Sequence, residues 1–309
     1  MTTTSQGENR INPRSTGFVT QEVYRKHTSD KSLAPEAAEL RRCKDQSIKT
    51  AHVSALELVE FDAEANTLTT QRVHGKELFH TLWNSTYLLG RLRGHKMNDP
   101  DLILARVEEL GQWLARYHQS TARGPEEFLP ATWLHGAIQR KIAEVRHEKL
   151  LPERTLQQIE ARFLPELEKL HDAGYLQQQG GHVCHIHGDF LIYNVLIDAN
   201  NNLHVVDFGD TRLSGNLEDV ARMYSSLYAI ADTNRTRRRM LGDLPARFLA
   251  AYGLPANIID TPYFQCNLVY NYLTHLEGQF YMREMLSWSS NIEMGQITRA
   301  GLRWIKRHL

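Results

Sequence analysis

Two short apolar runs, Val-Leu-Ile at 195–197 and Leu-His-Val-Val at 203–206, are separated by Asp-Ala-Asn-Asn-Asn at 198–202. Asn- and Asp-rich turns between β-prone runs fold back as hairpins, because their side chains bond their own backbone and tolerate left-handed conformations. Asn194 therefore enters a hairpin and Asp207 leaves it. Antiparallel pairing brings the two to one end of that hairpin although they lie 13 positions apart. Asp189, five residues before Asn194, reaches the same mouth from the preceding loop. A carboxylate beside an apolar run is costly unless it is paired or bound to metal. Three oxygen-bearing side chains at one hairpin mouth are hard ligands of the kind that Mg²⁺ prefers.

The rest of the chain reads as two unlike parts around that hairpin. Residues 1–16, rich in Thr, Ser, Asn and Arg, read as a flexible lead-in. From Gly17, the stretch "FVTQEVYRKHT" alternates between two faces and predicts one strand that carries Lys26 near its end. Ser32 and Pro35 open a helical stretch containing Glu36 and Glu39. "HVSALELVEF" and "TLTTQRVH", on either side of the turn-forming "DAEAN", predict further strands, so 17–74 reads as a small α+β unit. Long helices follow. Ile103, Val107, Leu110, Leu114 and Tyr117 form one apolar stripe, and Leu268, Tyr272, Leu276 and Phe280 another.

With 309 residues, 41% of them hydrophobic, the chain can bury one large core or two smaller ones. Lys and Arg balance Asp and Glu at 36 each, so no global charge draws it to nucleic acid or to a membrane surface. Cys43, Cys184 and Cys266 are widely spaced with no CxxC, which suits a reducing compartment and argues against a disulfide framework or structural zinc. The polar N-terminus and the absence of any run of 18 apolar residues complete the expectation of a cytoplasmic protein.

The string "HGDFLIYNVLID", followed by "VVDFGDT", resembles the catalytic core of the aminoglycoside phosphotransferase and choline kinase-like branch of the protein kinase-like superfamily. The resemblance implies a two-lobed α+β fold, with a small β-rich, nucleotide-binding N-lobe at 17–74. A larger, mainly helical C-lobe at 75–309 would carry the catalytic loop and the acceptor site. It implies ATP and Mg²⁺ as cofactors and transfer of the γ-phosphate to a hydroxyl of a small molecule. On this resemblance Asp189 matches the aspartate that accepts the hydroxyl proton, and Asn194 and Asp207 match the Mg²⁺ ligands. Lys26 matches the lysine that holds the α- and β-phosphates, and Glu36 its helix partner. Glu39 lies one turn later on nearly the same face and leaves that last choice open. Asp219 in "GNLEDVAR" looks like the aspartate that braces the catalytic loop, "QRVHGKEL" like the hinge between lobes, and "LGQWLARYHQS" like the long helix before the loop.

A phosphate cradle usually places a Gly-rich turn between two strands, where backbone N–H groups approach the phosphates closely. Ahead of Lys26 there are only Gly7 and Gly17, and residues enough for one strand rather than two. The expectation is a truncated N-lobe whose lid is short, glycine-free or missing. That expectation keeps a second reading open, a kinase-like binding or regulatory module that has weakened or lost phosphotransfer. A protein kinase is disfavoured, since "HGD" stands where H-R-D is usual and no A-P-E segment follows "DFG".

Other segments invite rival readings. His185, His187 and Asp189 form an H-x-H-x-D string like the opening of the zinc site in metallo-β-lactamase-like hydrolases, although Phe190 stands where that family has another histidine. "NRTRRRM" at 234–240 reads as a solvated helix face or as an anion-binding patch. The C-terminal "ITRAGLRWIKRHL" reads as a helix docked on the core, with an interfacial membrane helix as the alternative. Residues 225–309 hold ten Lys and Arg against six Asp and Glu. Such an excess favours a neutral or anionic hydroxyl acceptor over a polycationic one.

Overall fold

The computed structural model describes residues 8–12, 15–19, 22–85, 100–124, 132–169, 173–233, 235–282 and 288–309. Its first unit is a five-stranded antiparallel sheet. Strands β1 (Glu8–Asn12), β2 (Ser15–Val19) and β3 (Val23–Thr28) follow one another as hairpins. Helix α1 (Ala34–Asp45) comes next, then β4 (Val53–Ala55), β5 (Leu58–Asp62) and β6 (Thr67–Gln71). The sheet order is β1-β2-β3-β6-β5.

The N-terminal sheet corrects two expectations. Two strands precede Lys26 instead of one, and the first begins at Glu8, inside the stretch expected to be a lead-in. The run expected as a single strand divides, with Phe18 opposite Arg25 and Val19 opposite Tyr24. No glycine or proline stands between Val19 and Val23 to signal that division in the sequence. The Asn12-Pro13 dipeptide is a break signal in the sequence just past β1. The N-terminal sheet is therefore not truncated.

Helix α1 opens where Ser32 Oγ accepts the Ala34 N–H at 3.2 Å, with Pro35 in the first turn. Asn66, in the β5–β6 turn with φ +47°, accepts the Leu33 N–H through Oδ1 at 2.8 Å and donates through Nδ2 to the Thr28 and Lys31 carbonyls. These bonds fix the start of α1 beside the end of β3, the strand that carries Lys26.

Strand β4 leaves the first sheet and pairs, in parallel, with a strand from the far half of the chain. After β7 (Gly75–Glu77) the chain turns helical, with α2 (Leu78–Ser85), α3 (Pro100–Gln119), α4 (Thr132–His147), α5 (Glu153–Glu168) and α6 (Ala173–Gln178). Strand β8 (Val183–Ile186) leads to the hairpin of β9 (Val195–Asp198) and β10 (Leu203–Val205), in which Ile197 opposes Leu203 and Val195 opposes Val205. The second sheet runs β4-β10-β9-β7, so the hairpin is flanked on both edges. A Cβ on Gly75 would meet the Ile197 carbonyl, which is how closely β7 approaches β9.

Strand β11 (Arg212–Gly215) pairs with β8. Five helices follow: α7 (Leu217–Ala231), α8 (Arg235–Leu241), α9 (Leu244–Tyr252), α10 (Pro262–Met282) and α11 (Trp288–His308). The molecule is thus a small sheet-rich N-terminal part joined to a larger, mostly helical one. The expected stripe on α3 is buried along its length, with Val107, Leu110, Leu114 and Tyr117 fully so. Ile297, Trp304 and Ile305 dock α11 on the core. Among the described residues no helix is long and apolar enough to cross a membrane.

Candidate active site

The loop between β8 and β9 is shaped by one buried carboxylate. Asp219 on α7 accepts the His187 N–H at 2.6 Å and the Gly188 N–H at 2.9 Å, one oxygen to each. His118 on α3, itself fully buried, lies 3.1 Å from Asp219 through Nε2 and 2.9 Å from the Tyr252 hydroxyl through Nδ1. Burial alone would raise the Asp219 pKa. The His118 hydrogen bond and the loop donors outweigh it and hold the group below its ordinary value. Gly188 turns the chain at φ +82°, and a Cβ there would collide with the Asp210 carbonyl.

Past that turn the Leu191 N–H donates to the Asp189 carbonyl at 2.8 Å, and a single helical turn at Ile192–Asn194 brings Asn194 back toward Asp189. Asn194 Nδ2 donates to both the Asp189 carbonyl and Oδ2, each at 2.8 Å. The other carboxylate oxygen of Asp189 is paired with Arg222 Nη1. Phe190 and Phe208 pack into the core with Trp113, and the His187 ring lies 4.6 Å from Phe208. The apolar residues of the loop are thus its anchor.

The far end of the hairpin is tied to the same loop. His187 Nε2 is 3.0 Å from the Val206 carbonyl, and the Val206 N–H donates to the Asn194 carbonyl at 3.0 Å. Asp207 follows in the left-handed conformation, φ 62° and ψ 63°, which an aspartate tolerates better than most residues and which turns its side chain out of the strand. Lys26 on β3 bridges Asp207 at 2.7 Å and Glu36 on α1 at 2.9 Å. Burial would lower the Lys26 pKa, but the two carboxylates reverse this and raise it above the ordinary lysine value. Burial would raise Asp207, and Lys26 overcomes that and holds it below the usual carboxylate value. In Glu36, which is more deeply buried, burial wins and the pKa is raised.

The structure therefore places Asp189 with Asn194, and Lys26 with both Glu36 and Asp207, and joins the two groups at the hairpin mouth through the Val206–Asn194 bond. Glu39 does a different job. It sits 2.9 Å from His185, accepts from the Tyr117 hydroxyl at 3.1 Å and pairs with Arg42 at 2.6 Å. The H-x-H-x-D reading is not supported by this geometry, since the His185 and His187 nitrogens face Glu39 and the Val206 carbonyl. Among the described residues no three His, Cys, Asp or Glu side chains gather as a closed metal site. A magnesium site of one or two protein oxygens completed by phosphates needs no such cluster. Asp207, about half exposed and bonded to Lys26 through Oδ1 alone, and Asn194, which bonds Asp189 through Nδ2 and keeps its amide oxygen for a metal, fit that donor set.

Sequence reasoning missed Arg222 and His118, and offered Glu39 only as the alternative partner for Lys26. Arg222 had a signal: it lies three residues after Asp219 on one helix, hence on the same face as the brace. Its guanidinium also lies 5.9 Å from the Tyr270 ring.

A two-part fold of this order with a braced loop is that of the protein kinase-like enzymes. Residues 19–257 match the model of the APH phosphotransferase enzyme family, and the chain belongs to that family. Solved structures share its fold at low identity. A glucosamine kinase superposes with a TM-score of 0.59 at 15% identity, over 98% of this chain and 77% of the other. The complex of aminoglycoside phosphotransferase APH(3'')-Id from Streptomyces rimosus with ADP and streptomycin gives 0.52 at 16%, over 86% and 92%. Choline kinase LicA from Streptococcus pneumoniae gives 0.51 at 15%, over 95% and 90%. No curated protein matches the sequence.

Proposed function

We propose that the protein is an ATP- and Mg²⁺-dependent kinase that phosphorylates a hydroxyl of a small molecule. The observation that carries this reading is the pairing of Lys26 with Asp207 at 2.7 Å and of Asn194 with Asp189 at 2.8 Å at one end of the β9–β10 hairpin. Bound nucleotide and magnesium would supply the γ-phosphoryl group and neutralise its charge. Lys26, held by Glu36, would grip the α- and β-phosphates, while Asp207 and Asn194 would hold the metal. Asp189 would accept the acceptor's hydroxyl proton as the new O–P bond forms and the bond to the β-phosphate breaks, releasing ADP. Such catalysis is mostly positioning and electrostatics, and the bracing of the loop by Asp219 is suited to it.

The acceptor side supports a neutral or anionic molecule over a polycationic one. The groups beside Asp189 include Arg222, and Arg212 pairs with the buried Glu218 at 2.6 Å. Glu218 is buried and already bonded by Arg212, Ser214 and Trp133, which makes it a poor anchor for an acceptor's amines. Streptomycin in the APH(3'')-Id complex marks the polycationic alternative.

The test is a screen of phosphate transfer from Mg·ATP to sugars, phosphorylated sugars, amino alcohols and aminoglycosides, with Asp207→Ala and Asp189→Asn as controls. The expected result is turnover of a neutral or anionic acceptor, abolished in both variants, with Asp189→Asn still stabilised by nucleotide. Full activity in either variant would falsify the mechanism, and turnover of aminoglycosides alone would overturn the acceptor class.

A further inference from the structure

Two basic segments that the catalytic cleft leaves unused, at 235–239 and at the end of α11, come together in the fold. They meet at Asp232, just past the C-terminus of α7. Arg238 reaches Asp232 Oδ1 at 2.6 Å from α8, while Arg303 reaches Oδ2 at 3.0 Å from α11 and also donates to the Asp232 carbonyl. Arg307, one turn later, lies 3.6 Å from Oδ2 and donates to the Tyr228 hydroxyl.

Exposure differs sharply between the partners. The Asp232 side chain is 6% exposed, whereas those of Arg238, Arg303 and Arg307 are 61%, 43% and 56% exposed. An approaching ion therefore meets guanidinium edges, with the carboxylate beneath them. One carboxylate cancels one of three positive charges, and the remaining charge of two matches a phosphate dianion. Guanidinium forks suit phosphate oxygens geometrically, and each carries five N–H donors, more than its bonds here use.

We propose that Arg238, Arg303 and Arg307, gathered over Asp232, form a second anion site that takes a phosphate group. Arg222 and Asp232 are ten positions apart on and just beyond α7, which places the site about 15 Å along that helix from the contact with Asp189. It is therefore separate from the cleft that holds Lys26 and Asp207. The phosphate can belong to a free phosphate ester or to a lipid headgroup, since the recognising chemistry is the same.

The probe for the first source is inorganic pyrophosphate, titrated calorimetrically at low salt into the full chain. The probe for the second is sedimentation with phosphatidylcholine vesicles with and without phosphatidylglycerol. Arg238→Gln and Arg307→Gln, made separately because Arg303 also caps a helix end, should weaken binding of at least one probe by about tenfold, the worth of one charge-assisted contact. Nucleotide-induced thermal stabilisation should stay at the wild-type value in both. Loss of pyrophosphate binding assigns a soluble ligand, and loss of vesicle binding alone assigns a headgroup; either supports the site. Binding of both probes equal to wild type in both variants, or no binding by the wild-type protein, overturns it.

Discussion

Lys26 and Asp207 are 181 positions apart, on the N-terminal sheet and at the exit of the central hairpin, yet their side chains meet at 2.7 Å. With Glu36 on the other side of Lys26, the contact locks three elements into one arrangement. Lys26→Met should lower kcat/KM for nucleotide by about tenfold or more, since charge-assisted bonds contribute roughly 1.5–3 kcal/mol each. It also strands Glu36 in a buried position. Steady-state kinetics over a range of nucleotide concentrations measures the loss, and a fall confined to kcat with unchanged KM would argue against a phosphate grip.

Arg222 holds one oxygen of Asp189 while Asn194 holds the other. Arg222→Gln should lower kcat about tenfold or more while leaving nucleotide KM near wild type, because it disturbs the orientation of Asp189 and not the Lys26 side of the cleft. Arg222→Lys, which keeps the charge but not the planar fork, should recover part of the loss. Equal defects in both variants would show that the charge contributes nothing.

Gly188 is the one residue of the loop for which a side chain is excluded on two grounds, its φ of +82° and the Asp210 carbonyl in the path of a Cβ. Gly188→Ala should cost about 2–4 kcal/mol of stability and most of the activity, the usual cost of a strained backbone joined to a clash. Denaturant unfolding checks the first number.

His182 offers a pH test. Burial, with the field of His118 added, lowers its pKa from 6.5 to about 4. The unfolded chain thus takes up a proton that the folded one refuses. Stability should be full above pH 6.5 and fall as pH drops from there toward 4. His182→Gln should flatten that limb in thermal unfolding measured at pH 7 and pH 5, and an unchanged slope would remove His182 as its source.

Much of the site was legible because its logic is local. The Asn-rich turn, the flanking apolar runs and the spacing of Asp189, Asn194 and Asp207 fixed the hairpin and its mouth. What stayed hidden depends on tertiary choice. Glu36 and Glu39 share a helix face, and only the packing of α1 sends the first to Lys26 and the second to His185 and Tyr117. The "RTRRRM" segment read as solvated or anion-binding. Its Arg237 is instead buried, with its guanidinium 3.5 Å from the Trp83 ring centre and a bond to the Trp83 carbonyl. The β1–β2 hairpin escaped because its strands are short and polar, and the parallel pairing of β4 with β10 joins residues some 150 positions apart.

That pairing decides where the molecule can bend. Leu56 donates its N–H to Val205 in the hairpin, while Glu57, the very next residue, accepts from Gln71 in the first sheet. On the other crossing, Arg72 is bonded to Glu22 and Gly75 already pairs with Asp198. With β4 held on the hairpin side, the chain thus crosses between the two parts three times, at residues 46–52 between α1 and β4, at the Leu56–Glu57 peptide and at residues 73–74. A jaw of β1, β2, β3, β5, β6 and α1 that opened would have to release Glu39 on α1 from His185 and Tyr117 as well as Lys26 from Asp207.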